Sequence, residues 1–333
     1  MRIVDDALAT AGMMLEERLD GRVRRDVSLA PMTTYRVGGS AALFVDVHAL
    51  DDLAAVAEVR RATGVPVLVV GRGSNMLVAD AGFEGVAISI AGFANEIQLP
   101  QGSVLKSAPC FVTAGGAVSL PVLARRTAAA AITGFEWAVG VPGSIGGAVR
   151  MNAGGHGSDM AACIADVDVF DLDGSDGLTT LTVEQLGLQF RASALAPLAV
   201  VVSARLRLAF GDREVSEREI AEIVRWRREH QPGGQNCGSV FVNPVPYEVA
   251  AGGLIDSLGL RGFRIGTAWV SDKHANFIQA SEGGRAGDVR AVIEAVRGRV
   301  AEATGYLLRS EVRLVGFDDT DPMSFDARLG AGE

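Results

Sequence analysis

An apolar run at residues 65–70 leads straight into Gly71-Arg72-Gly73-Ser74-Asn75-Met76, and the segment after that loop limits the possible folds more than any other. A strand that turns through G-x-G-x-x-G into a helix receives a pyrophosphate at the helix N-terminus. Here Met76 takes the place of the third glycine. Leu77, Val78 and then residues 86–90 read as further strand, broken by Asp80 and Gly82. With no helical period after the loop, a Rossmann unit is excluded.

Other segments have clear periods. Residues 41–47 read as a strand. Residues 51–63 read as a helix with Leu53, Val56 and Ala57 on one face and Gly64 as its C-terminal cap. A second helix is expected from Ser119, as N-cap, to Ile132, ending near Gly134. Strands are expected next at 164–172 and 198–208. Residues 211–215 read as a boundary, after which Ser216 and Glu219 form a capping box for a helix with Ile220, Ile223 and Val224 as its stripe. Asp288 precedes Val289, Val292, Ile293, Val296 and Val300, a helical period that stops at Gly305. A strand is expected over 311–315.

Length and composition narrow the function classes. With 333 residues, 48% of them hydrophobic and 21% charged, the chain is long enough for two domains with sizeable cores. The net charge of −9, without a Lys/Arg block, argues against a general nucleic-acid binder. Cys110, Cys163 and Cys237 form no CxxC pair, so a zinc site or disulfide framework is not expected, and reduced thiols in a cytosolic protein are the simpler reading. The first 21 residues lack the pattern of a signal peptide, and no apolar run reaches the ~20 residues of a membrane helix.

A second glycine loop, Gly140-Val141-Pro142-Gly143-Ser144-Ile145-Gly146-Gly147, precedes Asn152-Ala153-Gly154-Gly155-His156-Gly157. Each loop alone is equally well a tight turn. As a pair they favour a nucleotide cofactor, with backbone amides gathered around phosphate and Ser74, Asn75 and Ser144 adding donors. Three further residues bear chemistry. Ser239 is a hydroxyl at a strand entry, Arg191 a guanidinium between apolar neighbours, and Glu311 a strand carboxylate. Each also has an ordinary reading as a turn serine, a snorkelling arginine or a solvated acid, and spacing alone does not join them. His156 reads as a turn residue, His274 as a strand-start residue or a substrate contact, and Cys237 as a small buried residue.

Eight motifs, in order, resemble those of the UDP-N-acetylenolpyruvoylglucosamine reductases, flavoenzymes of bacterial peptidoglycan precursor synthesis. They are Thr33-Thr34-Tyr35-Arg36-Val37-Gly38-Gly39 and residues 71–77, 141–148, 152–157, 238–244, 251–256, 274–278 and 311–316. The resemblance covers 33–316. It implies an α+β protein in which an FAD-binding domain of the vanillyl-alcohol-oxidase type (31–212, two α+β subdomains) is followed by a smaller α+β substrate domain (213–317). Read from the residues, 1–30 form a partly helical leader and 318–333 an acidic mobile tail.

The resemblance also implies a cytoplasmic enzyme with no membrane insertion. It would bind FAD non-covalently and take NADPH as reductant and a sugar nucleotide as substrate. Hydride would pass from flavin N5 to the enolpyruvyl C3, with a proton delivered to C2. Ser239 would be the proton donor, and Arg191 and Glu311 would stabilise the enolate-like intermediate. FAD contacts would come from Gly71, Arg72, Gly73, Ser74, Asn75, Met76, Ala114, Gly115, Pro142, Gly143, Ser144, Gly146 and Gly147. Substrate contacts would come from Arg227, His230, Asn243 and Lys273. Phe190 and His156 stand where the family often has tyrosine, Val242 and His230 where it often has lysine, and Gln279 where it has asparagine. Short segments at 208–238 and 244–251 resemble the subtype without an inserted subdomain and tyrosine loop. Two alternatives are another oxidoreductase on this scaffold, tethering flavin through His156, and a non-catalytic flavin-binding module.

Overall fold

The computed structural model describes residues 2–100, 108–174, 177–245 and 248–317; the acidic tail expected at 318–333 lies outside them. The chain forms two compact units that do not follow chain order. The first contains the chain up to Arg25, Ala42–Arg72 and Gly85–Arg227, and the second contains Asp26–Ala41, Gly73–Glu84 and the chain from Arg228 onward.

In the first unit, the helices Arg2–Leu19 and Leu50–Thr63 share a core with strands Ser40–Asp46, Val67–Val69 and Phe83–Ser89. Ala11, Leu15, Leu19, Leu53, Val56, Leu43 and Ile88 are buried there. The helix expected in the leader is present as Arg2–Leu19, and it packs into this core rather than standing apart from it. The second helix starts at Leu50 without a capping hydroxyl. Asp52, in its first turn, instead accepts from His48 N (2.7 Å) and Ala49 N (3.2 Å), and Gly64 ends the helix at φ 71°. Burial works against the ionised Asp52, but the Arg22 guanidinium and those two amides hold its carboxyl below the usual value.

A second, antiparallel sheet of this unit is built around Ala199–Phe210, which pairs with Ile164–Asp171 on one side and Pro109–Gly115 on the other. The helix expected from Ser119 spans Leu120–Ala129. Ser119 has extended backbone, but its hydroxyl caps nothing, and the chain leaves the helix early because Ile132–Thr133 pairs with Ala209 and Phe210.

The Ser216 cap is not what forms. The helix runs Arg213–His230, and the Asp212 carboxylate caps it by accepting from Glu214 N at 3.0 Å. Ser216 lies inside the helix, buried, and donates its hydroxyl to Glu136. Ile220 and Ile223 are buried as expected, whereas Val224 is exposed.

In the second unit, Met76–Val78 pairs in parallel with Arg313–Val315, with Arg313 opposite Met76. The strand expected from 311 therefore begins at Arg313. Arg264–Ile265, Ala268–Val270 and Ile278–Ala280 form a three-stranded sheet. The helix Ala286–Thr304 shares a core with it through Val289, Val292, Ile293, Val296 and Val300, all buried; each contributes roughly 1.5–3 kcal/mol. Its N-terminus is capped from a distance, since Asp80 accepts from Ala286 N (2.8 Å) and Gly287 N (3.0 Å). Gly305 closes it at φ 76°.

Candidate active site

The first glycine loop enters strand on both sides, as the absence of a helical period implied. Among the described residues, the backbone amides of Gly71, Arg72, Gly73, Ser74 and Asn75 donate to no protein acceptor. Gly73 has φ +56°, and a Cβ there would lie 2.2 Å from Met32 O and 2.6 Å from the Thr33 Cα. Only glycine fits. Thr34 N donates to Gly73 O (3.2 Å), and the Thr34 hydroxyl oxygen is buried with no protein partner. Consecutive unused amides beside an unsatisfied hydroxyl suit a phosphate group, so this donor set fits the nucleotide cofactor. The Asn75 side chain is already engaged, donating to Glu311 O at 2.8 Å.

The second loop spends most of its amides internally. Ile145 N donates to Val118 O (2.9 Å), Gly146 N to Gly116 O (2.8 Å) and Gly147 N to the Ser144 hydroxyl (3.4 Å). Ser144 thereby caps the short helix Ile145–Arg150. Pro142 is exposed and Gly143 buried. Ala114 and Gly115 end the strand Pro109–Gly115; Gly115 N donates to Glu96 O, and a Cβ on Gly115 would meet Ala94 O at 2.3 Å. Gly71 lies against the Ser144 hydroxyl, which would be 2.8 Å from an added Cβ, so the two glycine loops meet inside the first unit.

Arg191 occupies a tight turn of the first unit. Gln189 N donates to Ala192 O (2.9 Å) and Ala192 N to Gln189 O (3.1 Å), and Arg191 has φ +59°. A left-handed arginine costs roughly 1–2 kcal/mol. The surroundings hold it there. The buried Asn152 donates to Gln189 O (3.1 Å), Arg191 donates to Gly154 O (3.3 Å) and Ser193 donates to Arg150 O (2.8 Å). Nearby, His156 is edge-on to Trp226, and its imidazole is pushed toward the neutral form by burial and by Arg227. Burial also lowers the pKa of Arg227.

The second unit runs the Ser239 and Glu311 segments alongside each other. Glu311 N donates to Val240 O at 2.8 Å, and Ser239 immediately precedes Val240. The Ser239 segment is gripped on both edges. Val242 N donates to Arg309 O (2.9 Å) on the Glu311 side. On the other side Val240 N donates to Asn276 O (2.9 Å), while the Asn276 side chain accepts from Phe241 N (2.9 Å) and donates to Phe241 O (2.8 Å). Upstream, Asn236 accepts from Gly238 N (3.0 Å) and fixes the turn at Gly238, φ +84°. Beneath it, burial pushes the Cys237 thiol up to about 12, with Tyr35 and Glu311 as its polar neighbours. Cys237 is thus the small buried residue expected from the sequence.

The expected substrate contacts of this unit are exposed. Asn243 accepts from Ala251 N (3.0 Å) at the start of helix Ala251–Ser257, Lys273 donates to Arg228 O (2.5 Å), and His230 ends the Arg213–His230 helix. His274 serves its turn, where its Nδ1 accepts from Asn276 N (3.2 Å). The supporting roles of Asn152, Asn236 and Asn276 were not read from sequence. The available signal was Asn276 itself, an amide set between Ala275 and Phe277 in an apolar stretch.

Comparison with known proteins agrees with this organisation. The C-terminal domain model of UDP-N-acetylenolpyruvoylglucosamine reductase matches residues 230–315, and an FAD binding domain model matches 41–175. The UDP-N-acetylenolpyruvoylglucosamine reductase of Heliobacterium modesticaldum is 42% identical, covering 85% of this chain and 88% of its own. That of Synechococcus sp. (strain WH7803) is 38% identical over 90% of this chain and 96% of its own. The crystal structure of the reductase from Thermus caldophilus superposes with a TM-score of 0.72 at 34% identity, covering 88% of this chain and 99% of that one. The α+β expectation of an FAD-binding domain with a separate C-terminal domain therefore holds, and the chain belongs to the UDP-N-acetylenolpyruvoylglucosamine reductase family.

Proposed function

We propose that the protein is an NADPH-dependent reductase of the enolpyruvyl group on UDP-N-acetylglucosamine, forming UDP-N-acetylmuramate for peptidoglycan synthesis. The observation that supports the reading is the hydrogen bond between Glu311 N and Val240 O, which runs the Glu311 segment alongside the Ser239 segment in a chain of this family. Bound FAD supplies two-electron hydride transfer between the nicotinamide and the enolpyruvyl carbon. The 71–75 amides would hold its phosphates, and the loop at 140–147 supports Gly71 through Ser144.

The residues then divide the remaining work. Addition of hydride at C3 leaves negative charge delocalised toward the substrate carboxylate. Arg191, pre-set in its turn, supplies the guanidinium that lowers the energy of that charge. Ser239 holds the proton for C2, and Glu311 orients and couples to it. Arg227, His230, Asn243 and Lys273 bind the sugar nucleotide. The FAD region spans 31–212 and the substrate region 213–317.

The test separates the two half-reactions. Under anaerobic conditions NADPH should bleach the bound flavin, and the enolpyruvyl sugar nucleotide should restore its colour. Failure to reoxidise would refute the assignment. Ser239→Ala should still bleach with NADPH yet stall on reoxidation; loss of both steps together would count against Ser239 as proton donor.

A further inference from the structure

We infer that Asn75 is a positioning residue that ties the cofactor loop to Glu311, so that an anion held by the loop amides also sets the backbone of Glu311. The inference rests on the reading of Glu311 given above and extends it to a residue outside the trio. Three observations in one unit carry it. The Asn75 side chain donates to Glu311 O (2.8 Å) while Arg313 N donates to Asn75 O (3.0 Å), so a single residue grips the Glu311 segment at two points. The grip continues a parallel ladder in which Arg313, Leu314 and Val315 face Met76, Leu77 and Val78. On the other edge, Glu311 N reaches Val240 O, next to Ser239.

The residues just before Asn75 are those whose amides have no protein acceptor among the described residues. A loop with unused donors gains order when a phosphate fills it. Asn75 transmits that order because its side chain and its carbonyl are both committed to the 311–313 segment. In the sequence Asn75 and Glu311 are 236 positions apart, yet no intermediate residue is needed between them. The amide at this position reaches the Glu311 carbonyl, two residues ahead of the strand that pairs with Met76–Val78.

The first test needs no variant. Hydrogen exchange is measured on flavin-stripped protein with and without added FAD. Protection by FAD should extend from the 71–76 loop to peptides covering 309–317, with exchange there slowing by roughly tenfold or more. Protection confined to the loop would overturn the inference. The second test uses Asn75→Ala and Asn75→Ser at saturating FAD. The spread of protection to 309–317 should be lost in both, and the ratio of reoxidation rate to bleaching rate should fall about tenfold. An unaltered ratio, or equal losses in both half-reactions, would also overturn it.

Failure of the underlying reading gives a different signature. If Glu311→Gln reoxidises like the parent, Glu311 has no role in the chemistry, whatever the exchange experiment shows. If Glu311→Gln is slow, adding Asn75→Ala should slow reoxidation little further, since the two act on one group.

Discussion

Replacing Asn276 with alanine should destabilise the protein severely, and two hydrogen bonds set the size of the effect. The Asn276 side chain satisfies both the N–H (2.9 Å) and the C=O (2.8 Å) of Phe241, and both residues are buried. The neighbouring strand segment cannot take over, because its bonds go to Val240 and Val242, the residues on either side. Alanine therefore leaves two buried backbone groups without partners at about 1–3 kcal/mol each, or about 2–6 kcal/mol together. A natural domain holds only about 5–15 kcal/mol in all. In urea, with a slope near 3 kcal/mol per molar, the midpoint should fall by about 0.7–2 M.

Asn276→Asp adds a dependence on pH. At neutral pH a carboxylate oxygen faces Phe241 O and has no proton to donate, so this variant should be about as unstable as alanine. The charged form is disfavoured on folding, so the pKa of the new acid is raised in the folded state. Stability relative to the parent should then recover as pH falls through that raised value, when the protonated acid can donate. Urea melts of the holoprotein from neutral to mildly acidic pH measure both effects. Midpoints within about 0.2 M of the parent for both variants would refute the account, as would an aspartate variant whose deficit did not change with pH.

Other outcomes test other parts of the structure. Gly73→Ala forces a side chain into φ +56° against the Met32 carbonyl, so FAD affinity, measured by flavin fluorescence titration, should fall by roughly tenfold or more. Arg191→Gly relieves the left-handed backbone while removing the guanidinium; stability should stay within about 1 kcal/mol of the parent while stopped-flow reoxidation collapses. Glu136 is held below its ordinary value of 4.5: burial opposes ionisation, but donors including the Ser216 hydroxyl and Gly134 N outweigh it. Its contribution is present above 4.5 and is lost as pH falls through the lower folded value, so acid melts should show the deficit of Glu136→Gln shrinking below that point.

Much of the fold was legible because it depends on neighbours in the chain. The period at 289–300 marks a buried helix face whatever it packs on, and Gly64 and Gly305 end helices because φ near +70° is inexpensive only for glycine. Ser216 misled because a serine three residues before a glutamate satisfies the local cap pattern equally well in a helix interior. Asp212, four residues earlier, took the cap, and Glu136, distant in sequence, took the hydroxyl.

By itself the sequence determined that the Gly71–Met76 loop ends in strand, that the helices over 50–63 and 286–304 lie where their apolar periods place them, and that eight motifs keep a reductase order. Steric preference and periodicity act over a few residues, so they can be read without knowing the fold. Only the tertiary structure decided which donors are spent and which are left. It engaged the 145–147 amides internally, left those of 71–75 without a protein acceptor among the described residues, placed Asn276 on Phe241, and turned Asn75 toward Glu311. The reason is that a hydrogen bond forms with whatever group the fold brings within about 3 Å, and that group is often hundreds of residues away.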